Sequence, residues 1–299
     1  MAAPTPYTAP AWAEGMQKYR APSLFQPHRV RDVIRDAHEK KIPALIGYYS
    51  GLSSIPLVRF IAPMGFDMIW LDWEHTPCDV ETMTTMVHEI AFMSEGRTIP
   101  FVRIPGHDHA AIGYVLDAGA SLVIPQIETV EQAKHVVSAA KFGSRQNGTR
   151  SVPPFRLIAG VSDAPLDGKR DVWQNVNDQA AIMIQIESLE GINNLDDILT
   201  EVPDIDVVWL GSLDCRISMN LAPQWGQGNE PEWLAAVDKF TATLKKHNKP
   251  RAGFCLEAGE KLAKAAEDNV ILLHAGDLLK VSELPHQLAA AKDAVVLKN

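Results

Sequence analysis

The sequence predicts a (β/α)8, or TIM, barrel, and three observations carry that prediction. Eight apolar, β-rich segments recur along the 299 residues, with helical patterns between them. The segments read as near-continuous apolar runs, as strands of a parallel sheet covered on both faces do. Charged residues collect at the C-terminal tips of several segments, where a barrel of this kind carries its chemistry. With 46% hydrophobic residues, one large core can be filled without a second domain.

Residues 1–30 precede the first strand and hold Pro4, Pro6, Pro10, Pro22 and Pro27, with Trp12 and a short amphipathic stretch from Met16 to Tyr19. They are expected to form an arm packed on another subunit, leaving 31–299 as a single barrel domain. The first strand covers 42–49. The second, 66–73, runs into Leu-Asp72-Trp-Glu74-His75-Thr-Pro, two carboxylates and an imidazole at one tip. A helical pattern follows at 79–95. The third strand, 99–104, ends Phe-Val-Arg103-Ile-Pro and sets a guanidinium on the neighbouring tip; a helix at 109–118 follows. The fourth strand, 121–127, leads to a helix at 130–142. The fifth, 181–186, reads Ala-Ile-Met-Ile-Gln185-Ile-Glu187, and its helix covers 190–201. The sixth, 207–210, continues through Gly-Ser212-Leu213 to Asp214, with a helix at 231–248. The seventh and eighth, 251–256 and 270–274, precede helices at 257–268 and 277–292. The stretch 142–179, rich in Gly, Pro, Asn and Arg, is too long for a plain connector and reads as a functional loop over the barrel mouth.

A net charge of −9 supplies no basic stripe for nucleic acid or an acidic membrane. Cys78, Cys215 and Cys255 lack metal-knuckle or disulfide spacing, so a reducing cytoplasm is expected. No signal-like N-terminus and no apolar run long enough to span a bilayer is present, so no membrane partner is expected. The partners left are small molecules.

Glu187 and Asp214 offer hard oxygen ligands on neighbouring strand tips, suited to a divalent cation. Arg103 offers an anion clamp on the same rim, and His75 a base of near-neutral pKa. That set matches enolate chemistry. A cation held by the carboxylate and keto oxygen of an α-keto acid withdraws electrons from the adjacent carbon, and the arginine stabilises the oxyanion.

Five pieces together resemble the HpcH/HpaI aldolases, the metal-dependent class II pyruvate aldolases. They are Leu-Asp72-Trp-Glu74-His75-Thr-Pro, Phe-Val-Arg103-Ile-Pro, Leu-Asp117-Ala-Gly-Ala, Gln185-Ile-Glu187-Ser-Leu-Glu-Gly and Gly211-Ser-Leu-Asp214. The resemblance runs from about residue 28 to 285. It implies a TIM barrel of the phosphoenolpyruvate/pyruvate-like superfamily, with Glu187 and Asp214 binding Mg²⁺ (Mn²⁺ or Co²⁺ as substitutes). It also implies His75 as general base supported by Asp117, Arg103 on the enolate, and Gln185 on substrate or water. Amides near Ser212, Leu213 and Asp214 would hold the substrate carboxylate, and Asp72 and Glu74 would orient the groups around the metal. The implied substrates are a keto acid, pyruvate or oxaloacetate, and an aldehyde or other acceptor. The implied assembly is a homo-oligomer, a hexamer built as a trimer of dimers.

A fungal branch typified by macrophomate synthase decarboxylates oxaloacetate to the same enolate. This chain departs from the family pattern in three places. Asp171-Val-Trp-Gln-Asn stands where a Tyr is usual, Gly-Ser-Leu-Asp replaces Gly-Pro-Ala-Asp, and 142–150 replaces a Pro-Pro-x-Gly-x-Arg-Gly turn.

Simpler readings stand beside these. Glu187 and Asp214, taken singly, could be helix N-caps or first-turn acids. His75 could be a structural histidine, Arg103 a partner of Asp72 or Glu74, and Asp117 a cap or subunit contact. His107 and His109 suit a solvated turn at a helix start, and Trp173, Trp209 and Trp225 suit packing, with Trp209 in the core. The reading of another class is a non-catalytic barrel that binds keto acids; it would be expected to have lost one of His75, Arg103 or the metal carboxylates.

Overall fold

A computed structural model describes residues 13–23, 25–143, 147–164, 166 and 169–295. Eight parallel strands close into a barrel in sequence order. They are β1 (Leu45–Ser50), β2 (Met68–Asp72), β3 (Ile99–Arg103), β4 (Ser121–Ile124), β5 (Ile182–Ile186), β6 (Val207–Leu210), β7 (Arg251–Phe254) and β8 (Ile271–Gly276). β8 pairs with β1 to complete the ring, which leaves no open sheet edge.

The main helices are α1 (Val30–His38), α2 (Ile55–Ile61), α3 (Val80–Met93), α4 (His109–Ala118), α5 (Val130–Ala140), α6 (Val172–Asn177), α7 (Leu189–Glu201), α8 (Ser212–Ser218), α9 (Pro231–Lys246), α10 (Glu260–Asp268), α11 (Asp277–Val281) and α12 (Leu284–Ala294). Several begin at the polar residue that chemistry favours: Asp79, Asp108 and Ser188 accept first-turn N–H groups, and Thr129 and Asp171 form capping boxes with Gln132 and Gln174. Asp108 heading α4 accounts for the His107 to His109 stretch as a helix start.

Two cores follow from the period of two along each strand. Ile69, Leu71, Val102, Ile182, Ile184 and Ile186 face the helices, while Met68, Trp70, Ile99, Phe101, Met183, Val207 and Trp209 fill the barrel. The interior cluster extends to Val30, Val33, Ile34 and Ala37 of α1 and to Tyr19, so the segment before β1 stops the N-terminal end of the barrel. Tyr19 is buried there, with its hydroxyl donating to Asp36 at 2.6 Å. The prolines at 4, 6 and 10 and Trp12 lie outside the described residues.

The described residues of the long stretch 142–179 do not cover the mouth. It joins α5 to β5, and a helix-to-strand connection in this topology returns to the N-terminal ends of the strands. Its contacts agree: Arg150 reaches Asp117 at the end of α4, Gln26 donates to the Ser162 carbonyl, and Asn177 pairs with the Phe142 backbone. The expected helix at 277–292 is split into α11 and α12, with Pro285 in the first turn of α12, where its missing N–H costs nothing. α12 has no buried residue, and its Leu284 and Leu288 are exposed.

Candidate active site

The same period that fills the barrel lifts the polar residues onto its rim. Asp72 stands two residues beyond Trp70, Arg103 two beyond Phe101, and Gln185 and Glu187 two and four beyond Met183, all with the inward parity. Asp72 and Arg103 are paired neighbours in the β2–β3 register. The guanidinium forks onto the carboxylate, Nη2 to Oδ2 at 2.6 Å and Nε to Oδ1 at 2.9 Å. Asp72 Oδ1 also accepts the backbone N–H groups of Glu74 (3.2 Å) and His75 (3.4 Å), and Oδ2 the Tyr49 hydroxyl at 2.5 Å. Burial alone would raise the Asp72 carboxyl, but Arg103, with help from Tyr49, holds it below the usual carboxylate range. Burial likewise opposes the Arg103 charge, and Asp72 and Glu74 more than restore it.

Glu74 links this pair to the histidine. Its Oε2 lies 3.1 Å from Arg103 Nε and 3.6 Å from His75 Nε2. Burial pushes the Glu74 carboxyl up against the pull of those two groups. The His75 side chain is 68% exposed, open to the mouth and to anything bound there.

Glu187 is the other pole. It is buried, its Oε2 accepts the Gln126 N–H at 3.0 Å, and its Oε1 accepts the Gln185 amide at 3.2 Å. Burial, then the charge of Asp214, pushes the Glu187 carboxyl up to about 7. Gly211 lets the carboxylate lie against the β6 backbone: a Cβ there would stand 2.3 Å from Glu187 Oε1. Asp214 is exposed in the first turn of α8, behind Ser212 and Leu213, whose N–H groups open that helix. Gln185 Oε1 faces Arg103 Nη1 at 3.5 Å, joining the two poles.

A buried carboxyl pushed up by burial and by the charge of a neighbouring carboxylate suits a cation placed against it. Among the described residues no group of three or more His, Cys, Asp or Glu could enclose one. The oxygen donors of Glu187 and Asp214 fit a hard ion that keeps waters and takes oxygen atoms from a substrate, as Mg²⁺ does with one or two protein carboxylates.

Asp117 is the one predicted site residue that the chain does not bring here. It lies at the last turn of α4, and α4 ends beside the start of β4, whereas His75 follows the tip of β2; Asp117 Oδ1 accepts Arg150 Nη2 at 2.8 Å instead. Asp72 is the carboxylate that touches the His75 backbone. Two contributors carry no signal of their own in the sequence. Tyr49 reads as one more residue of an apolar strand, and Gln126 sits beyond β4 with φ +51°, a left-handed conformation uncommon outside glycine. Trp209 is core, in edge contact with Trp70 (5.1 Å) and Phe254 (5.2 Å), and Trp173 packs on Phe142 at 5.0 Å. Trp225 is not packed: it is 82% exposed, at φ +54° in the turn after α8.

The model of the HpcH/HpaI aldolase/citrate lyase family matches residues 45–268, three quarters of the chain and all the rim residues described above. This chain belongs to that family. As a family member it is 33% identical, over 226 residues, to 4-hydroxy-2-oxo-heptane-1,7-dioate aldolase of Shigella sonnei, covering 73% of this chain and 78% of the relative. The protein of that name from Escherichia coli is 32% identical over the same length and the same shares of the two chains. Among solved structures, macrophomate synthase superposes with a TM-score of 0.83 at 28% identity, covering 92% of this chain and 93% of its own. An HpcH/HpaI family protein from Burkholderia cenocepacia, at 24% identity and a TM-score of 0.72, shares the fold. The HpcH/HpaI member described here is thus a TIM barrel from a family of aldolases and lyases, and the family's class II aldolases use a divalent metal. No helix among its described residues is long and apolar enough to cross a membrane.

Proposed function

We propose that this chain forms a pyruvate enolate and uses it to cleave or build 4-hydroxy-2-keto acids. The observation that carries the reading is the single rim on which Arg103, anchored by Asp72 and Glu74, meets Gln185 and Glu187 while His75 stands open beside it. Glu187 and Asp214 would hold Mg²⁺, which when bound withdraws electrons from the keto acid.

The chain's own groups supply the rest. In the cleavage direction His75 takes the proton of the C4 hydroxyl, the C3–C4 bond breaks, an aldehyde leaves, and the electron pair becomes the enolate. Arg103 stabilises the oxyanion with a guanidinium already fixed in place, so little reorganisation is needed as charge develops. Gln185 positions substrate or water between Arg103 and Glu187, and the first-turn N–H groups of Ser212 and Leu213 would receive the substrate carboxylate. Leu213, 42% exposed beside Asp214, would narrow the space for the acceptor.

The likeness to macrophomate synthase over 92% of the chain favours a second use of the same enolate, reached from oxaloacetate by loss of CO₂. The bare, apolar α12 supports action as a homo-oligomer, a hexamer on the family resemblance, and the three free cysteines agree with a reducing cytoplasm.

The deciding experiment follows the pyruvate methyl proton signal by NMR in D₂O, with Mg²⁺ and then with EDTA. Loss of signal that requires both protein and metal is expected, as is its abolition in a folded Glu187→Ala variant. No exchange, together with no metal-dependent consumption of oxaloacetate or of a 4-hydroxy-2-keto acid, would overturn the reading in favour of a barrel that only binds.

A further inference from the structure

We propose that Tyr49 is a positioning residue for this site, holding Asp72 so that the Arg103 guanidinium keeps one edge turned toward the substrate. The proposal deepens the enolate reading above and rests on it for its kinetic arm only.

Tyr49 has the inward parity of β1 and lies opposite Trp70 in the β1–β2 register, so its side chain rises toward the tip of β2. Its ring is held by neighbours on both sides, 6.5 Å from Trp70 and 6.0 Å in edge contact with Phe254. Trp209 joins these rings in an aromatic floor under the rim, and the Arg103 guanidinium stands 5.6 Å over Trp70. A ring fixed in this way points its hydroxyl in one direction, and there it meets Asp72 Oδ2 at 2.5 Å.

The count of donors shows what that contact does. Arg103 Nη2 and the Tyr49 hydroxyl share Oδ2, while Arg103 Nε and two backbone N–H groups share Oδ1. With both oxygens occupied, the carboxylate has one orientation. Arg103 then has one orientation too, with Nη1 turned to Gln185 Oε1, whose amide reaches Glu187. A continuous chain of hydrogen bonds therefore runs from β1 through β2 and β3 to the metal carboxylate on β5, and Tyr49 is its first member. A phenylalanine at 49 would pack equally well on Trp70 and Phe254, so burial does not explain the hydroxyl.

The test is Tyr49→Phe, which keeps the ring. Expected are a melting temperature close to wild type and a kcat for pyruvate methyl exchange lowered roughly ten- to a hundredfold, the rate equivalent of one hydrogen bond to a charged group, with KM little changed. Tyr49→Phe combined with Asp72→Asn should be no slower than Asp72→Asn alone, because the tyrosine acts through the aspartate. An arm independent of activity uses ¹⁵N-arginine spectra of the whole protein, with the Arg103 Nε–H signal assigned by Arg103→Lys. That signal should exchange slowly in wild type and broaden or exchange faster in Tyr49→Phe. Wild-type kcat in Tyr49→Phe, or independent effects in the double variant, would overturn the role. Should wild type catalyse neither exchange nor metal-dependent consumption of oxaloacetate or of a 4-hydroxy-2-keto acid, the enolate reading falls, and the arginine signal alone decides: unchanged on removing the hydroxyl, it overturns the positioning role as well.

Discussion

Glu187 is a carboxyl group that this barrel makes costly to ionise. Burial and the charge of Asp214 push it up to about 7, so in the metal-free folded chain the neutral form dominates below that pH. A carboxyl raised on folding contributes most stability below its unfolded value, near 4.5, and that contribution is lost as pH rises through about 7. A divalent cation reverses the balance, because it binds only the ionised form. Mg²⁺ affinity measured by calorimetry should therefore climb as pH rises toward 7 and level off above it, while Glu187→Gln should bind weakly with no such climb. Gly211 makes the same point sterically. Its φ is unremarkable, but Gly211→Ala would drive a methyl into the Glu187 carboxylate, so Mg²⁺ binding should fall sharply while the circular dichroism of the barrel is retained. Arg103→Lys keeps the charge and loses the fork to Asp72. Pyruvate exchange should drop about a hundredfold, the order seen on removing one oxyanion-stabilising donor.

At the scale of elements, the strands were the legible part of the sequence. The two-residue alternation that buries Met68 and Trp70 also dictates that Asp72 faces the mouth, so rim residues follow from the pattern that defines the core. Shorter elements left too little periodicity to recognise: α2 and α8 have seven residues each and α6 has six. The stretch 142–179 shows a different limit. Its composition announces a loop, but the end of the barrel it occupies is set by connectivity, because it leaves a helix and enters a strand. Asp117 shows a related limit: its motif is clear, but within this chain it lies at the far end of a helix, where it answers Arg150. Arg150 is buried, so Asp117→Ala should destabilise the chain by about 3 kcal/mol in urea unfolding, the cost of stranding a buried charge. His28, on the stretch leading into α1, gives the acid limit. It is fully buried, and burial pushes its imidazole down to about 4. The unfolded chain therefore binds a proton that the folded chain refuses, and stability present above about 6.5 is lost as pH falls toward 4. The loss should approach about 3 kcal/mol, and His28→Gln should flatten that limb of the unfolding curve.

Across the whole molecule, the barrel is closed and stoppered at one end by α1, while α12 leaves it with no buried side chain. A helix carrying exposed Leu284 and Leu288 leaves apolar surface uncovered on a 32.9 kDa chain. Light scattering should report a mass several times that value, and a chain ending at Glu283 should scatter as a smaller species.

The rim groups, Asp72, Arg103, Gln185 and Glu187, stand on or just past the ends of strands locked into the ring, whereas Leu213 and the bare indole of Trp225 belong to the helix and turn that follow β6. On the enolate reading, making the nucleophile and choosing what it attacks would fall to different parts of the chain. Side-chain replacements at positions 213 and 225 other than proline, which keep the Leu213 N–H, should redistribute acceptor preference and product stereochemistry while the deuterium-exchange rate of pyruvate itself stays nearly constant, which would make the turn after β6 the place to redirect such a catalyst toward new carbon–carbon bonds.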